Sequence, residues 1–409
     1  MWKFILDQML STVFLHGALD VHYPDGTFKS YGDGSGQKVT VRVTDPAMVG
    51  KIARNPELYA GEAYMDGSLT VDNDDLYGLL KLGIINVFSN PGPWWKQWID
   101  KGLFWLGRVN QRNPIGRARQ NVSHHYDLSA DLYDLFLDAD RQYSCAYFAD
   151  PAMTLEEAQF AKKHHIAKKL RITPGMRILD IGCGWGGLGI TLARDYGAHV
   201  VGVTLSEEQH KIAVQRAKDA GVADRCDFRL MDYRHVEESF DRIVSVGMFE
   251  HVGVPHYREY FAHVNQKLKK DGVALVHTIG RCGPPDFTSP WITKYIFPGG
   301  YVPSMSEMIQ AVEKERLFQT DIEIWRMHYA DTLREWYNRF MANIDTARDL
   351  YDERFCRMWR YYLIACEVTF RYGRQTVFQV QLTHDQQAVP LTRDYMYDGQ
   401  RPVELQAAE

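Results

Sequence analysis

Fourteen residues, Met176-Arg-Ile-Leu-Asp-Ile-Gly-Cys-Gly-Trp-Gly-Gly-Leu-Gly189, constrain the fold of this chain more than any other stretch. The apolar run Ile178, Leu179 and Ile181 reads as a buried strand. It breaks into a loop holding Gly182, Gly184, Gly186 and Gly187, after which Leu188–Asp195 reads as a helix. A strand, glycine loop and helix in this order bring bare backbone and a helix N-terminus against a nucleotide-like ligand in an open α/β sheet. Taken alone, the same glycines are equally compatible with an ordinary tight turn.

The alternation continues downstream. Ala198–Thr204, Cys226–Met231, Phe240–Val246 and Val273–Thr278 read as strands, with helices over Ser206–Ala220 and His256–Lys269. That pattern predicts a parallel sheet between helical layers, a doubly wound α/β domain. Residues 280–303, rich in Gly, Pro and aromatics, interrupt it and are expected to cover a substrate. Helices at 330–345 and 348–372 and a last strand near 377–384 follow. Upstream, residues 17–44 alternate, and Asp25-Gly26 between Ala18–Tyr23 and Val39–Val43 suggests a hairpin; helical patterns fill 46–90. The expected organisation is a small α+β accessory domain over 1–90, a linker over 91–120, a catalytic domain over 121–390 and a polar tail over 391–409. The polar stretch from 385 onward is expected to add little.

Charge and cysteine usage narrow the partners. A net charge of −5 gives no global reason to expect nucleic acid. Six scattered cysteines without a CxxC pair or a secretory signal argue against a disulfide framework or a metal site and suggest a reducing cytoplasm. No run approaches the ~18–20 apolar residues that span a bilayer. The linker stands apart: Trp94, Trp95, Trp98, Phe104 and Trp105 are interleaved with Lys96, Lys101, Arg108, Arg112, Arg117 and Arg119, against the single acid Asp100. Such a stretch suits an element lying in a membrane interface, or a linker packing its tryptophans on the protein itself.

The tip of the second strand discriminates between ligands. A nicotinamide cofactor calls for an acid there to bind ribose, whereas this chain has Val203-Thr-Leu-Ser206. Asp180-Ile-Gly-Cys-Gly184 with Asp232-Tyr-Arg after the third strand instead looks like an S-adenosylmethionine methyltransferase of Rossmann-like fold. Longer strings sharpen the likeness. Gln142-Tyr-Ser-Cys-Ala-Tyr147, Leu179-Asp-Ile-Gly-Cys-Gly-Trp-Gly-Gly187, Gly202-Val-Thr-Leu-Ser-Glu-Glu-Gln209, Gly247-Met-Phe-Glu-His-Val-Gly253, Tyr295-Ile-Phe-Pro-Gly-Gly300 and Tyr361-Tyr-Leu-Ile-Ala-Cys366 occur in order. The chain thereby resembles the cyclopropane-fatty-acyl-phospholipid synthases from about residue 120 to 384, and Gly61-Glu-Ala-Tyr-Met-Asp-Gly67 extends the resemblance weakly into the N-terminal domain of the long bacterial members.

The resemblance implies methylene transfer from S-adenosylmethionine to a cis double bond of an unsaturated phospholipid. It implies a cofactor site formed by Tyr143, Ser144, Gly182, Gly184, Thr204 and Gln209; Asp180, Gly186, Ser206, Asp232 and Tyr233 are added from the surrounding motifs. It also implies a bicarbonate ion as base, held by Cys145 and Ile279 through backbone groups and by Glu250, His277 and Tyr329 through side chains. Glu250 is expected to orient His277. Cys366 is a further catalytic candidate. Phe148, Tyr295, Phe297, Tyr301 and Trp336 are expected to wall the acyl channel and face the developing cation.

Read without the family, the same residues have other meanings. Glu250 follows a strand end and could cap it, His277 could be a satisfied core histidine, Tyr329 a helix-entry aromatic and Cys366 a small buried hydrophobe. Two other functions also fit: a methyltransferase giving a branched chain or a methylated amine, and a non-catalytic lipid-binding module. The expected setting is the cytoplasm, with peripheral association at the inner face of the membrane; a separate N-terminal domain could mediate homodimerisation.

Overall fold

The computed structural model describes residues 1–89 and 130–397, so the Trp/Arg linker at 91–120 lies outside the described residues. The N-terminal part carries a four-stranded sheet in the order β2-β1-β3-β4: β1 Ala18–His22, β2 Phe28–Tyr31, β3 Lys38–Val43 and β4 Leu69–Val71. The turn at Asp25-Gly26, with Gly26 at φ 80°, connects β1 to β2. It does not connect β1 to β3, which run parallel with Leu19 opposite Val39 and Val21 opposite Val41. β2 left no trace in the hydrophobic pattern because Phe28, Lys29 and Ser30 are all exposed and Tyr31 alone is buried. Two helices follow, Pro46–Arg54 and Pro56–Met65, each opened by a side-chain cap, Asp45 or Asn55, with proline in the first turn.

The second sheet has seven strands in the order β7-β6-β5-β8-β9-β11-β10. Its members are β5 Arg177–Ile181, β6 His199–Thr204, β7 Cys226–Leu230, β8 Phe240–Val246, β9 Leu268–Arg281, β10 Phe318–Trp325 and β11 Gln375–Thr383. The pairs among β5 to β9 are parallel, while β11 runs antiparallel between β9 and β10. This is a Rossmann-like α/β sheet with an antiparallel insertion that the alternation of elements did not foretell. β10 was missed for a physical reason: it is an edge strand, and Phe318-Gln-Thr-Asp-Ile-Glu-Ile-Trp325 needs no continuous apolar run.

Neighbours β6 and β8 flank β5, so the strand order reverses there. Ligand crevices of open α/β sheets form at such a point, beyond the carboxyl ends of the strands. The glycines on both sides of that crevice share one packing partner. Phe228 on β7 fills the space that side chains would take at Gly186, Gly189 and Gly202: a Cβ there would meet its ring at 2.9, 3.2 and 2.6 Å. The helix Gly187–Tyr196 therefore settles closely on the sheet.

One helix joins the two parts. In Glu353–Tyr372, Trp359, Tyr362 and Leu363 enter an aromatic core with Tyr133, Phe136, Trp291, Trp325, Tyr329 and Trp336, while Ile364 and Val368 pack with the N-terminal strands. The stretch after β11 also contributes structure. Val389 and Met396 are buried, Arg393 pairs with Asp321 at 2.5 Å, and Gln381 Nε2 donates to the Tyr395 hydroxyl at 2.9 Å.

Because the Gly202 Cβ position also lies 2.9 Å from that of Cys183, Gly202→Val should overpack this joint and lower stability by about 1–3 kcal/mol. Denaturant midpoints should show Phe228→Leu recovering part of the loss in the double variant.

Candidate active site

A solvent-open cleft of about 900 Å³ lies beyond the ends of β5, β6, β7 and β8. It is lined by Gly182 and Gly184, by Thr204 and Gln209, by Asp232 and Tyr233, and by Met248 and His251. Gly184, at φ 53°, has no atom within 4 Å of where a Cβ would stand, so the bare backbone faces open space. Thr204 Oγ1 donates to Gln209 Oε1 at 2.9 Å, which orients the amide at the β6 tip. Asp232 is gripped by Arg234 through Nε and Nη2 at 2.8 and 2.6 Å, and this pair holds its carboxyl below the ordinary range despite burial. Tyr233 packs edge-on against Tyr260.

Five residues expected at this site do not line the cleft: Tyr143 packs against an aromatic core, Ser144 Oγ accepts from Lys162 Nζ, and Gly186, Ser206 and Asp180 face other parts of the fold. Gly186 faces Phe228 and Ala213. Ser206 accepts from Gln209 N at 3.3 Å and caps the helix Glu207–Asp219. Asp180 is buried within β5; burial alone pushes it up to about 7, and among the described residues its Oδ2 has no hydrogen-bond partner.

The second group of residues gathers behind the cleft in the aromatic core. Cys145 and Tyr329 are members of that core, and Tyr143, Ile279 and Cys366 pack against it. Tyr143 stacks on Trp336 at 5.2 Å, and its hydroxyl lies 2.9 Å from that of Tyr362. Burial raises both cysteine thiols, Cys366 to about 12, so neither is a thiolate nucleophile near neutral pH. Phe148, Tyr295 and Phe297 border the same core, and Trp336 is fully enclosed in it. Tyr301 belongs to a different core, with its hydroxyl donating to Glu307 Oε2 at 2.9 Å, and does not wall this chamber.

Glu250 stands beside the cleft, at the edge of the aromatic core. It lies in the single turn Phe249–His251, and its neighbours Met248 and His251 line the cleft. β8 ends at Val246 opposite His277, while β9 continues to Arg281, leaving the Ile279 N–H without a strand partner. Glu250 Oε1 accepts that N–H at 2.7 Å. Its Oε2 is buried and, among the described residues, has no hydrogen-bond partner. Burial dominates and raises the carboxyl to about 7.

This arrangement corrects two expectations. The Ile279 N–H is already taken by Glu250 and is not offered to an anion. Glu250 also does not orient His277: cross-strand register places Gln379 opposite His277, and its Nε2 donates to Nδ1 at 3.0 Å. The Gln379 amide therefore fixes the orientation of the imidazole ring through Nδ1. Burial holds this imidazole neutral, well below the ordinary histidine range.

A buried lysine was missed. On the helix Leu155–Lys169, Lys162 is 1% exposed and donates to Ser144 Oγ at 2.7 Å, while Gln159 Nε2 donates to the Gln142 and Ser144 carbonyls at 3.2 and 3.0 Å. Together they fix the segment that carries Tyr143 and Cys145. Desolvation pushes Lys162 down to about 8, and its charge helps depress His277. A polar pair at i and i+3 on a helix was a signal available in the sequence, but it resembles a solvated face. Tyr362 lay inside a recognised motif, yet only its contact with Tyr143 singles it out.

The Glu250 carboxyl carries a stability signature. Between about 4.5 and about 7 the folded protein keeps a proton there that the unfolded chain releases. The resulting stabilisation is full below 4.5 and is lost as pH rises through 7. Glu250→Gln keeps an acceptor for Ile279 and removes the titration. The stability of the wild type relative to this variant should fall by up to about 3 kcal/mol between pH 4 and 8, read from urea unfolding; a constant difference would refute the shift.

Comparison with known proteins agrees with this geometry. Residues 114–380 match the family described as mycolic acid cyclopropane synthetase, and residues 5–83 match a domain family of unknown function. The chain is 41% identical over 342 residues to the cyclopropane-fatty-acyl-phospholipid synthase of Escherichia coli K12, covering 83% of this chain and 86% of that one. It is 34% identical to the tuberculostearic acid methyltransferase of Mycobacterium tuberculosis, covering 93% and 91%. Among solved structures, a mycolic acid cyclopropane synthase complexed with S-adenosylhomocysteine and CTAB superposes with a TM-score of 0.62 at 35% identity, covering 66% of this chain and 99% of that one. With a cleft shaped by Gly184, Thr204, Gln209 and Asp232 at the strand switch point, the chain belongs to the cyclopropane synthetase family of S-adenosylmethionine-dependent methyltransferases.

Proposed function

We propose that this protein transfers the sulfonium methyl carbon of S-adenosylmethionine to the cis double bond of an unsaturated phospholipid acyl chain and closes a cyclopropane ring, with a bound bicarbonate ion as base. The observation that carries the reading is Glu250, set beside the cofactor cleft with Oε1 accepting the Ile279 N–H at the edge of the aromatic core, while its buried Oε2 is left without a hydrogen-bond partner among the described residues. The E. coli relative's name points to the same acceptor.

In the proposed reaction the alkene π pair forms the new C–C bond as the S–C bond breaks. Positive charge develops on the chain, and ring closure releases one proton from the transferred carbon. Bicarbonate, when bound, supplies the base for that proton. Cleft and chamber divide the remaining work. Gly184, Thr204, Gln209 and Asp232 line the cleft and would hold the methyl donor. Tyr143, Tyr329, Tyr362 and Phe297 offer electron-rich rings to the developing cation and exclude water that would quench it. A small anion would meet the His277 imidazole and the Lys162 charge, and Glu250 Oε2 is the acceptor that an anion's own O–H requires. A carboxyl raised to about 7 is suited to taking the released proton onward.

The similarity to a tuberculostearic acid methyltransferase supports a second outcome, a methyl-branched chain. Product mass separates the two. With cofactor labelled as CD3 and an unsaturated phospholipid, ring closure leaves two deuteriums in a product heavier by one CD2 unit; an intact CD3 group overturns ring formation. Glu250→Gln and His277→Ala should each lower transfer by ~10²–10⁴-fold while cofactor affinity, read by calorimetry, stays within about twofold.

The acceptor resides in a bilayer, and no helix among the described residues is long and apolar enough to cross one. We propose that the segment 91–120 meets the membrane surface through its tryptophans and basic side chains. Replacing Trp94, Trp95 and Trp98 with Ala should weaken sedimentation with anionic liposomes by about tenfold or more, roughly the effect of losing 1.4 kcal/mol of binding. Unchanged sedimentation refutes the assignment.

A further inference from the structure

The motif Gly61-Glu-Ala-Tyr-Met-Asp-Gly67 lies in the N-terminal part, yet its contacts run to the catalytic part. Trp291, on the short helix Pro290–Tyr295, lies against Gly61 so closely that a Cβ there would stand 2.5 Å from its indole ring. Its Nε1 donates to Met65 Sδ at 3.3 Å. Glu62 Oε1 accepts from Lys294 Nζ at 2.6 Å and from the Tyr295 hydroxyl at 2.9 Å. Asp66 accepts from Arg354 Nε at 2.7 Å, and that guanidinium lies 5.8 Å from the centre of the Tyr295 ring. The Tyr64 carbonyl accepts from Arg357 at 2.9 Å.

The gripped helix leads directly into the chamber. Phe297 N donates to the Ile292 carbonyl at 2.8 Å, which folds the chain back after the helix. The Phe297 ring then stands edge-on to Tyr362 at 6.0 Å and to His251 at 6.1 Å, touching the chamber on one side and the cofactor cleft on the other. Tyr301 N donates to the Glu250 carbonyl at 3.0 Å. The covering segment 280–303 is thus held from outside by the N-terminal motif and from inside by the site.

We propose that Gly61 and Glu62 are positioning residues for the acyl acceptor: the N-terminal motif clasps the helix Pro290–Tyr295 and so sets where Tyr295 and Phe297 stand in the chamber wall. This rests on the reading of the chamber as the acyl site. Glu62 acts through two partners at once, a cation and a phenol, so it fixes the helix in rotation as well as in place. Gly61 lets the indole approach to a distance that no other residue allows.

The test uses the full chain with Glu62→Gln, Glu62→Ala, Gly61→Ala, Tyr295→Phe and the Glu62→Ala/Tyr295→Phe double variant. Asp45→Ala, which removes the cap of the helix Pro46–Arg54, serves as a control for general loosening of the N-terminal part. The expected result is kcat/KM for phospholipid lowered about tenfold or more in Glu62→Ala and Gly61→Ala, with an intermediate value for Glu62→Gln, consistent with the sensitivity of rates to small misplacements of a bound reactant. Cofactor affinity should be unchanged, and the double variant should be no worse than its more damaging parent. Amide exchange over 290–297 should speed up in Glu62→Ala and stay unchanged over 177–209. The inference is overturned by unchanged lipid kcat/KM, by an equal loss in Asp45→Ala at matched stability, or by unchanged exchange at 290–297. If the wild type fails to modify unsaturated phospholipid, the acceptor reading fails instead, and the exchange measurement alone decides whether the clasp exists.

Discussion

A length mismatch between two neighbouring strands organises this site. β9 runs four residues past its last pairing with β8, at His277 opposite Val246, and the exposed edge has to find other partners. Three pieces of chain supply them. Gly247 N donates to the His277 carbonyl, Glu250 takes the Ile279 N–H, and Arg281 N donates to the Pro303 carbonyl. A buried N–H left unpaired costs of the order of 1–3 kcal/mol, so the turn carrying Glu250 is drawn over the strand end. One carboxylate oxygen completes the sheet, and the other is buried with no hydrogen-bond partner among the described residues. The capping role and the site role of Glu250 are therefore the same fact viewed from its two oxygens.

The cofactor side depends on absence of bulk. Phe228 occupies the volume vacated at Gly186, Gly189 and Gly202, which lets the helix after the glycine loop approach the sheet. Gly184 is different, because its missing Cβ would stand in open space at the cleft. Glycines of one motif thus divide into packing and ligand-facing positions, and spacing alone does not separate them. Gly186 illustrates this: it sits in the loop signature yet turns its back on the cleft.

β5 and β6 were legible because each is an apolar run followed by a helix of the right length. β10 and β2 were not, since edge strands with exposed faces carry no comparable pattern. Residues inside contiguous motifs, such as Thr204, Gln209 and Glu250, could be named from sequence. Partnerships across strands could not: Gln379 meets His277 from more than a hundred residues away through register, and nothing near His277 announces it. Lys162 escaped for the opposite reason, since a lysine on a helix ordinarily points to water. The antiparallel placement of β11 is what turns the β9 edge into a wall and brings Gln379 into position.

Four ionisable groups near the strand ends are all displaced toward their neutral forms by the same cause. Desolvation raises Asp180 and Glu250 to about 7, lowers Lys162 to about 8 and keeps His277 uncharged. Under the proposed reaction, a site that meets a developing carbocation would gain from this in two ways. Burial of the surrounding side chains limits access of water, the commonest nucleophile, and the weakened ionisation of the two carboxyls and the imidazole leaves ring faces and the Lys162 ammonium to set the local field. The cost is that a proton released inside cannot leave through water. A carboxyl whose ionisation is balanced near neutral pH suits that requirement, and Glu250, flanked by the cleft residues Met248 and His251 and bonded to Ile279 at the edge of the aromatic core, is so placed.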